Sequence, residues 1–256
     1  MEPNYLIYLS IVLIALVINV IAIRSTAYKG EKLTCDNYII NSYLYFVLAV
    51  LIVILTLLAN IKFQVLERIV PLFASFIGSI IFLIVIMSLI YYFKSLNPSK
   101  NKVEIHIVWT LIFVVLSLII YPFVLLTNMN NTMNYVLGIV LAIIVVTAYL
   151  GINHGDFIVR FDWDKYLYGA LIASIALTFI LSITGHYTQH IDLVLTYGVL
   201  LIFILLLISY NKRLIQNSKK CLEYNNPNYL DESLGLFTKI MNVFARVAQL
   251  MGKRRR

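Results

Sequence analysis

The 256 residues are 61% hydrophobic and only 12% charged, with a formal net charge of +8 and a mean hydropathy of +0.90. A water-soluble domain carries about a quarter charged residues, so a soluble globule is excluded, and disorder, which needs low hydrophobicity and high charge, is excluded with it. Ten glycines and five prolines are too few for a loop-rich β architecture, and the apolar runs are unbroken where a transmembrane β-barrel would alternate over about ten residues. The fold class is therefore all-α: a polytopic membrane helix bundle.

A bilayer core of about 30 Å takes about 20 apolar residues at 1.5 Å each. In chain order such runs fall at 5–23, 43–59, 69–93, 103–126, 135–152, 166–184 and 191–210, nearly free of charge and separated by polar breaks. The first reads as an uncleaved span, because Met1-Glu-Pro-Asn4 carries no positive charge and the run is longer than a signal-peptide core. Pro71 and Pro122 fall within spans, and Pro122 is expected to kink its helix. Tyr38, Tyr91, Tyr92, Tyr149, Tyr166, Tyr187 and Tyr210 sit at span ends, where an apolar ring with a polar tip anchors in the headgroups.

An eighth segment, 229–251, differs in kind. Glu232, Gly235, Lys239, Asn242, Arg246 and Gln249 recur at spacings of three and four, which puts them on one helical stripe and leaves the other face apolar. Such a semi-polar helix lines a protein interior, re-enters the membrane or lies flat in the headgroups.

Lysine and arginine in alternate connections set the topology. Arg24, Lys29, Lys32, Lys94, Lys100, Lys102, Arg160, Lys165, Lys212, Arg213, Lys219 and Lys220 fall on one side, Lys62 and Arg68 on the other. The first side faces the cytosol, and the N-terminus faces outside or a lumen. A full crossing by the eighth segment would put Lys253 and Arg254 to Arg256 opposite the cytosol. A re-entrant or surface path keeps this tail cytosolic, the expectation adopted here, with anionic lipid as its weak contact. The partners expected are thus the lipid bilayer and other membrane proteins, and the positive charge needs no nucleic acid. Cys35 and Cys221 fall on the cytosolic side, where thiols stay reduced. Their spacing offers no metal or redox motif, so no disulfide is expected.

Chemistry-bearing patterns are sparse. His186 and His190 precede Asp192, a place for a pH- or metal-responsive cluster, but they read as ordinary residues at a water boundary. Asp156, Asp162 and Asp164 share a connection with Arg160 and Lys165 and read as a solvated loop. No nucleophile elbow, phosphate loop or zinc motif occurs, so no enzyme activity, cofactor or metal is expected. The first seven spans nearly lack charge, whereas coupled transporters keep ionisable groups at membrane depth.

The seventh run ends Ile208-Ser-Tyr210-Asn211-Lys212. Pro227-Asn-Tyr229 follows, then Leu236-Phe237-Thr-Lys239-Ile240-Met241-Asn242-Val-Phe244 and Ala248-Gln249-Leu250-Met251. Upstream, Thr147-Ala-Tyr149 precedes Asp156-Phe157. In order and spacing over 135–251 this resembles the transmembrane BAX inhibitor motif family, the Bax inhibitor or lifeguard proteins. Their penultimate helix ends Tyr-Asp-Thr and their last reads near Tyr-x-Asp-Ile-Ile-Asn-x-Phe. Tyr210, Tyr229, Asn242, Phe244 and Asp156 carry the match.

The resemblance implies a seven-helix bundle over 38–256, with 1–37 as an added span and cytosolic loop. It also implies a regulator of cell death and intracellular calcium in Golgi, ER or plasma membrane. The family's ion-sensing pair would fall at Asn211 and Lys239, neither a carboxylate. Asn211, Lys239 and Asn242 are then gate or latch positions of a diverged member that has lost its calcium- and pH-sensing pair. Lys239 would be held by Asn211, by Glu232 or by a neighbouring helix. Two other readings stand beside this one: a non-conducting scaffold that binds partners, and a seven-helix receptor, for which Asn226-Pro-Asn-Tyr229 is the pointer. Richness in Asn, Ile, Lys and Tyr points to an AT-rich genome such as a viral one.

Overall fold

The structure, a computed structural model, describes residues 3–30, 32–63, 76–96, 101–129, 132–154, 163–186, 188–224 and 227–253. Pro71, Asp156, Arg160, Asp162, Tyr187 and the tail from Arg254 lie outside the described residues. The helices are α1 (Pro3–Ala27), α2 (Tyr38–Phe63), α3 (Phe76–Ser95) and α4 (Lys102–Met129). They continue with α5 (Met133–His154), α6 (Trp163–Ile183), α7 (Gln189–Tyr224) and α8 (Tyr229–Lys253). Among the described residues six of them, α1, α2 and α4 to α7, are long and apolar enough to cross a membrane. The expected third span is described only from Phe76 onward, as α3.

The expected spans appear as helices because each run offers a segment whose backbone can satisfy its own hydrogen bonds without water. The largest departure is at α7. Its apolar run was expected to end at 210, yet the helix continues through the basic stretch to Tyr224. At 36 residues it is about 54 Å long, well beyond a hydrocarbon core. Lys212, Arg213, Lys219 and Lys220 therefore ride on a helix and not on a loop.

The chain divides into two compact units, Met1–Pro122 with Lys220–Phe237, and Phe123–Lys219 with Thr238–Arg256. In the first, α1 turns an apolar face outward through Ile7, Ile11, Ile14, Ile18 and Ile21, at the spacing of one helical side. Its other side docks on α2 through the fully buried Asn41. Thr26 Oγ1 donates to Asn41 Oδ1 at 2.6 Å, and Asn41 Nδ2 donates to the carbonyls of Thr26 and Asp36 at 3.2 and 2.9 Å. Polar pairs of this kind hold membrane helices together where apolar packing gives no advantage over lipid.

Between α1 and α2 lies a two-strand antiparallel hairpin, Tyr28–Lys29 with Lys32–Leu33. Gly30 turns it at φ +64°, a left-handed conformation that costs glycine nothing. The hairpin returns the chain so that Cys35 meets Cys221 at the far end of α7, and the two form a disulfide with Cα atoms 5.6 Å apart. This corrects the expectation of two reduced thiols. Counting charges locates a side of the membrane; it does not reveal that residues 186 positions apart become neighbours. Both cysteines are buried, Cys35 at 7% and Cys221 at 4% exposure, which shelters the bond from reductants in water.

In the second unit α6 is covered least, with Leu167 its buried residue. At the start of α6, Asp164 accepts an ion pair from Arg213 Nη2 on α7 at 2.8 Å. Helices α5 and α7 approach so closely at Gly151 that a Cβ there would lie 2.6 Å from Asn211 Cβ and 2.9 Å from the Ile208 carbonyl oxygen. Only a residue without a side chain fits such a crossing.

Candidate functional site: the last helix

Helix α8 carries the polar stripe expected from the sequence, but the stripe does not face water. Among its described side chains only Asn242 is exposed. A helix resting on the headgroups would leave a whole face open, so the interfacial reading is set aside in favour of a helix buried in protein.

Residues 229 to 237 belong to the first unit, and there α8 runs parallel to α2 and α4. Tyr229 packs on Tyr38 at 5.1 Å between ring centroids, and Phe237, eight residues on, packs on Phe46 at 6.5 Å. On α4, Trp109 Nε1 donates to the Leu230 carbonyl and to Ser233 Oγ, both at 3.1 Å. Phe113 meets Phe237 edge-on at 4.7 Å. Polar tips close the lattice: Tyr38 Oη donates to the buried Glu232 carboxylate at 3.1 Å, and the Tyr229 hydroxyl donates to the Thr34 carbonyl. Tyr45 Oη bridges Tyr28 Oη at 3.3 Å and His106 Nε2 at 3.2 Å.

Tyr38 is therefore no headgroup anchor; it neutralises the cost of burying Glu232 by supplying a hydrogen bond. Of this cluster the sequence marked only Tyr229 as a site residue. Tyr45, His106 and Trp109 were missed, because a polar side chain within an apolar run signals that it has a partner without naming it.

Residues from Thr238 onward belong to the second unit, and there α8 runs antiparallel to α7. Lys239 Nζ lies 4.1 Å from the centroid of the Tyr210 ring. Two turns later Arg246 shares a cavity with Asp192 and Thr196 near the opposite end of α7. An ammonium over a tyrosine face is drawn to the negative ring centre. Asn211, next in chain to Tyr210, is buried at 4% exposure and lies under Gly151. Asn242, the third gate candidate, faces outward and donates to its own helix at the Thr238 carbonyl, 2.7 Å away. Phe244 is buried with Val243, Val247 and Ala248. So Lys239, Tyr210 and Asn211 gather in one region and Asn242 stays at the surface. Among the described residues no cluster of three histidine, cysteine, aspartate or glutamate side chains stands ready to hold a metal ion.

Long apolar helices with a semi-polar last helix buried in protein define a multi-pass integral membrane protein of the helical class. Within that class the family follows. The model of the family described as inhibitor of apoptosis-promoting Bax1 matches residues 35–256, and the chain belongs to it, the Bax inhibitor (TMBIM) family. No curated protein and no solved structure matches the chain.

Proposed function

We propose that this protein is a Bax-inhibitor-family regulator of cell death and of calcium in internal stores, in which a fixed cationic latch replaces a proton-sensing carboxylate pair. The observation that carries the reading is the Lys239 ammonium over the ring of Tyr210, the residue that precedes Asn211 in the chain. Two carboxylates in such a place share a proton and repel once both ionise, so protonation opens or closes the structure. Asparagine does not titrate. A lysine cation opposes the entry of a divalent ion that needs anionic oxygens around it. The resulting expectation is control of death signalling without a pH-gated calcium leak, from a membrane of the Golgi, the ER or the cell surface.

Lipid vesicles loaded with calcium and holding the purified protein test this reading. The wild type gives no pH-dependent efflux, and the double variant Asn211→Asp with Lys239→Asp acquires one. A pH-gated leak from the wild type that Lys239→Ala abolishes would overturn the proposal.

A further inference from the structure

Helix α1 lies ahead of the residues matched by the family model, 35–256, so membership of the family does not account for its outward face. The side of α1 that carries Asn19, Ile23 and Ala27 is buried. On the opposite side Ile7, Ile11, Ile14, Ile18 and Ile21 are each 56 to 62% exposed. Their spacings alternate four, three, four, three, the repeat that forms the seam between helices supercoiled left-handedly. In that register Ile11 and Ile18 take the a positions and Ile7, Ile14 and Ile21 the d positions. The next a position is the exposed Ser25, where the apolar run ends. From Ile7 to Ile21 the ridge covers about 21 Å of helix, most of a hydrocarbon core of about 30 Å. Contact with lipid tails sets no requirement on side-chain shape, and other exposed apolar faces are mixed: on α5 the residues are Leu137, Leu141, Val145 and Tyr149.

A ridge built from one β-branched residue is complementary to itself. Isoleucine on a helix is held to one χ1 rotamer, so interlocking costs it little freedom, and in a bilayer it is such packing, not apolarity, that brings helices together. We propose that α1 joins three copies of this chain as a parallel coiled coil, each isoleucine layer packing on the same layer of its neighbours. Copies inserted the same way across one membrane present their first helices parallel and at one depth, which sets the ridges in register. Isoleucine at both a and d selects three strands, whereas leucine at d with isoleucine at a selects two. Ala15 and Ala22, beside the ridge, are small enough to let the backbones approach. Three converging ridges bury about 1,500 Å² of isoleucine surface, within the range of specific interfaces. The association needs neither Lys239 nor calcium, and so stands or falls apart from the latch.

The test is the oligomeric state of the purified full-length protein, read by native mass spectrometry from mild detergent and by co-purification of two differently tagged copies from one membrane. The wild type is a trimer. Ile14→Ala with Ile18→Ala, both on the exposed face, raises the dissociation constant about tenfold or more and leaves the helix content unchanged. Ile7→Leu with Ile14→Leu and Ile21→Leu keeps the apolarity and turns the trimer into a dimer. In membranes under a mild oxidant Ile14→Cys cross-links to its own copy, and Leu13→Cys, exposed on the flank of the same helix, does not. A monomeric wild type, an assembly that survives the alanine pair, a three-leucine variant that remains a trimer, or equal cross-linking by Leu13→Cys and Ile14→Cys overturns the proposal. Tagged copies that fail to co-purify overturn it too, and leave the ridge to lipid or to a different membrane protein.

Discussion

The two halves of α8 share one amphipathic pattern and meet opposite surroundings. In residues 229 to 237 the polar stripe carries Glu232, and a tyrosine hydroxyl satisfies it inside a lattice of rings. In the later half the stripe carries Lys239 and Arg246, one against a ring face and the other in a cavity. The first half is a joint fixed by packing and directed hydrogen bonds; the second packs through Ile240, Val243, Phe244, Val247 and Ala248, and the cations of its stripe add a weaker, less directional attraction. A stripe read from sequence predicts that a helix has a special face, and the neighbours decide whether that face is a fastening or a site.

Substitutions sharpen this contrast, and thermal unfolding in detergent measures each. Trp109→Ala has the largest effect, about 3–5 kcal/mol, because a fully buried ring and two hydrogen bonds to α8 go together. Cys221→Ser follows at about 2–4 kcal/mol; added reductant lowers the wild-type melting temperature to the same point and leaves the variant unchanged. Lys239→Gln costs least, about 0.5–2 kcal/mol, and Lys239→Arg restores most of it by keeping a cation over Tyr210. A loss from Lys239→Gln as large as that from Trp109→Ala would erase the distinction between the halves.

Much of this was legible beforehand. Runs such as 43–59 and 135–152 announce helices because length and apolarity suffice, and the stripe from Glu232 to Gln249 announced a helix unlike the others. What stayed hidden depends on which surfaces meet. Tyr38 looked like any interfacial tyrosine until Glu232 was beside it. Gly151 carries no mark in the sequence, and its role shows only where Asn211 comes within the reach of a Cβ. Cys35 and Cys221 gave no spacing to read, since their nearness is made by the hairpin after α1 and the extension of α7.

That covalent tie divides the molecule in a way that the helix list does not. The stretch from Cys35 to Cys221 is a closed ring holding α2 through α6 and most of α7. A protease that nicks any connection inside the ring leaves the fragments joined, and they migrate as one species until a reductant parts them. Outside the ring a single cut is enough: one ahead of Cys35 detaches α1, and one beyond Cys221 detaches α8. The two helices added at the ends of the chain are thus the ones that limited cleavage can remove while the rest of the protein stays in one piece.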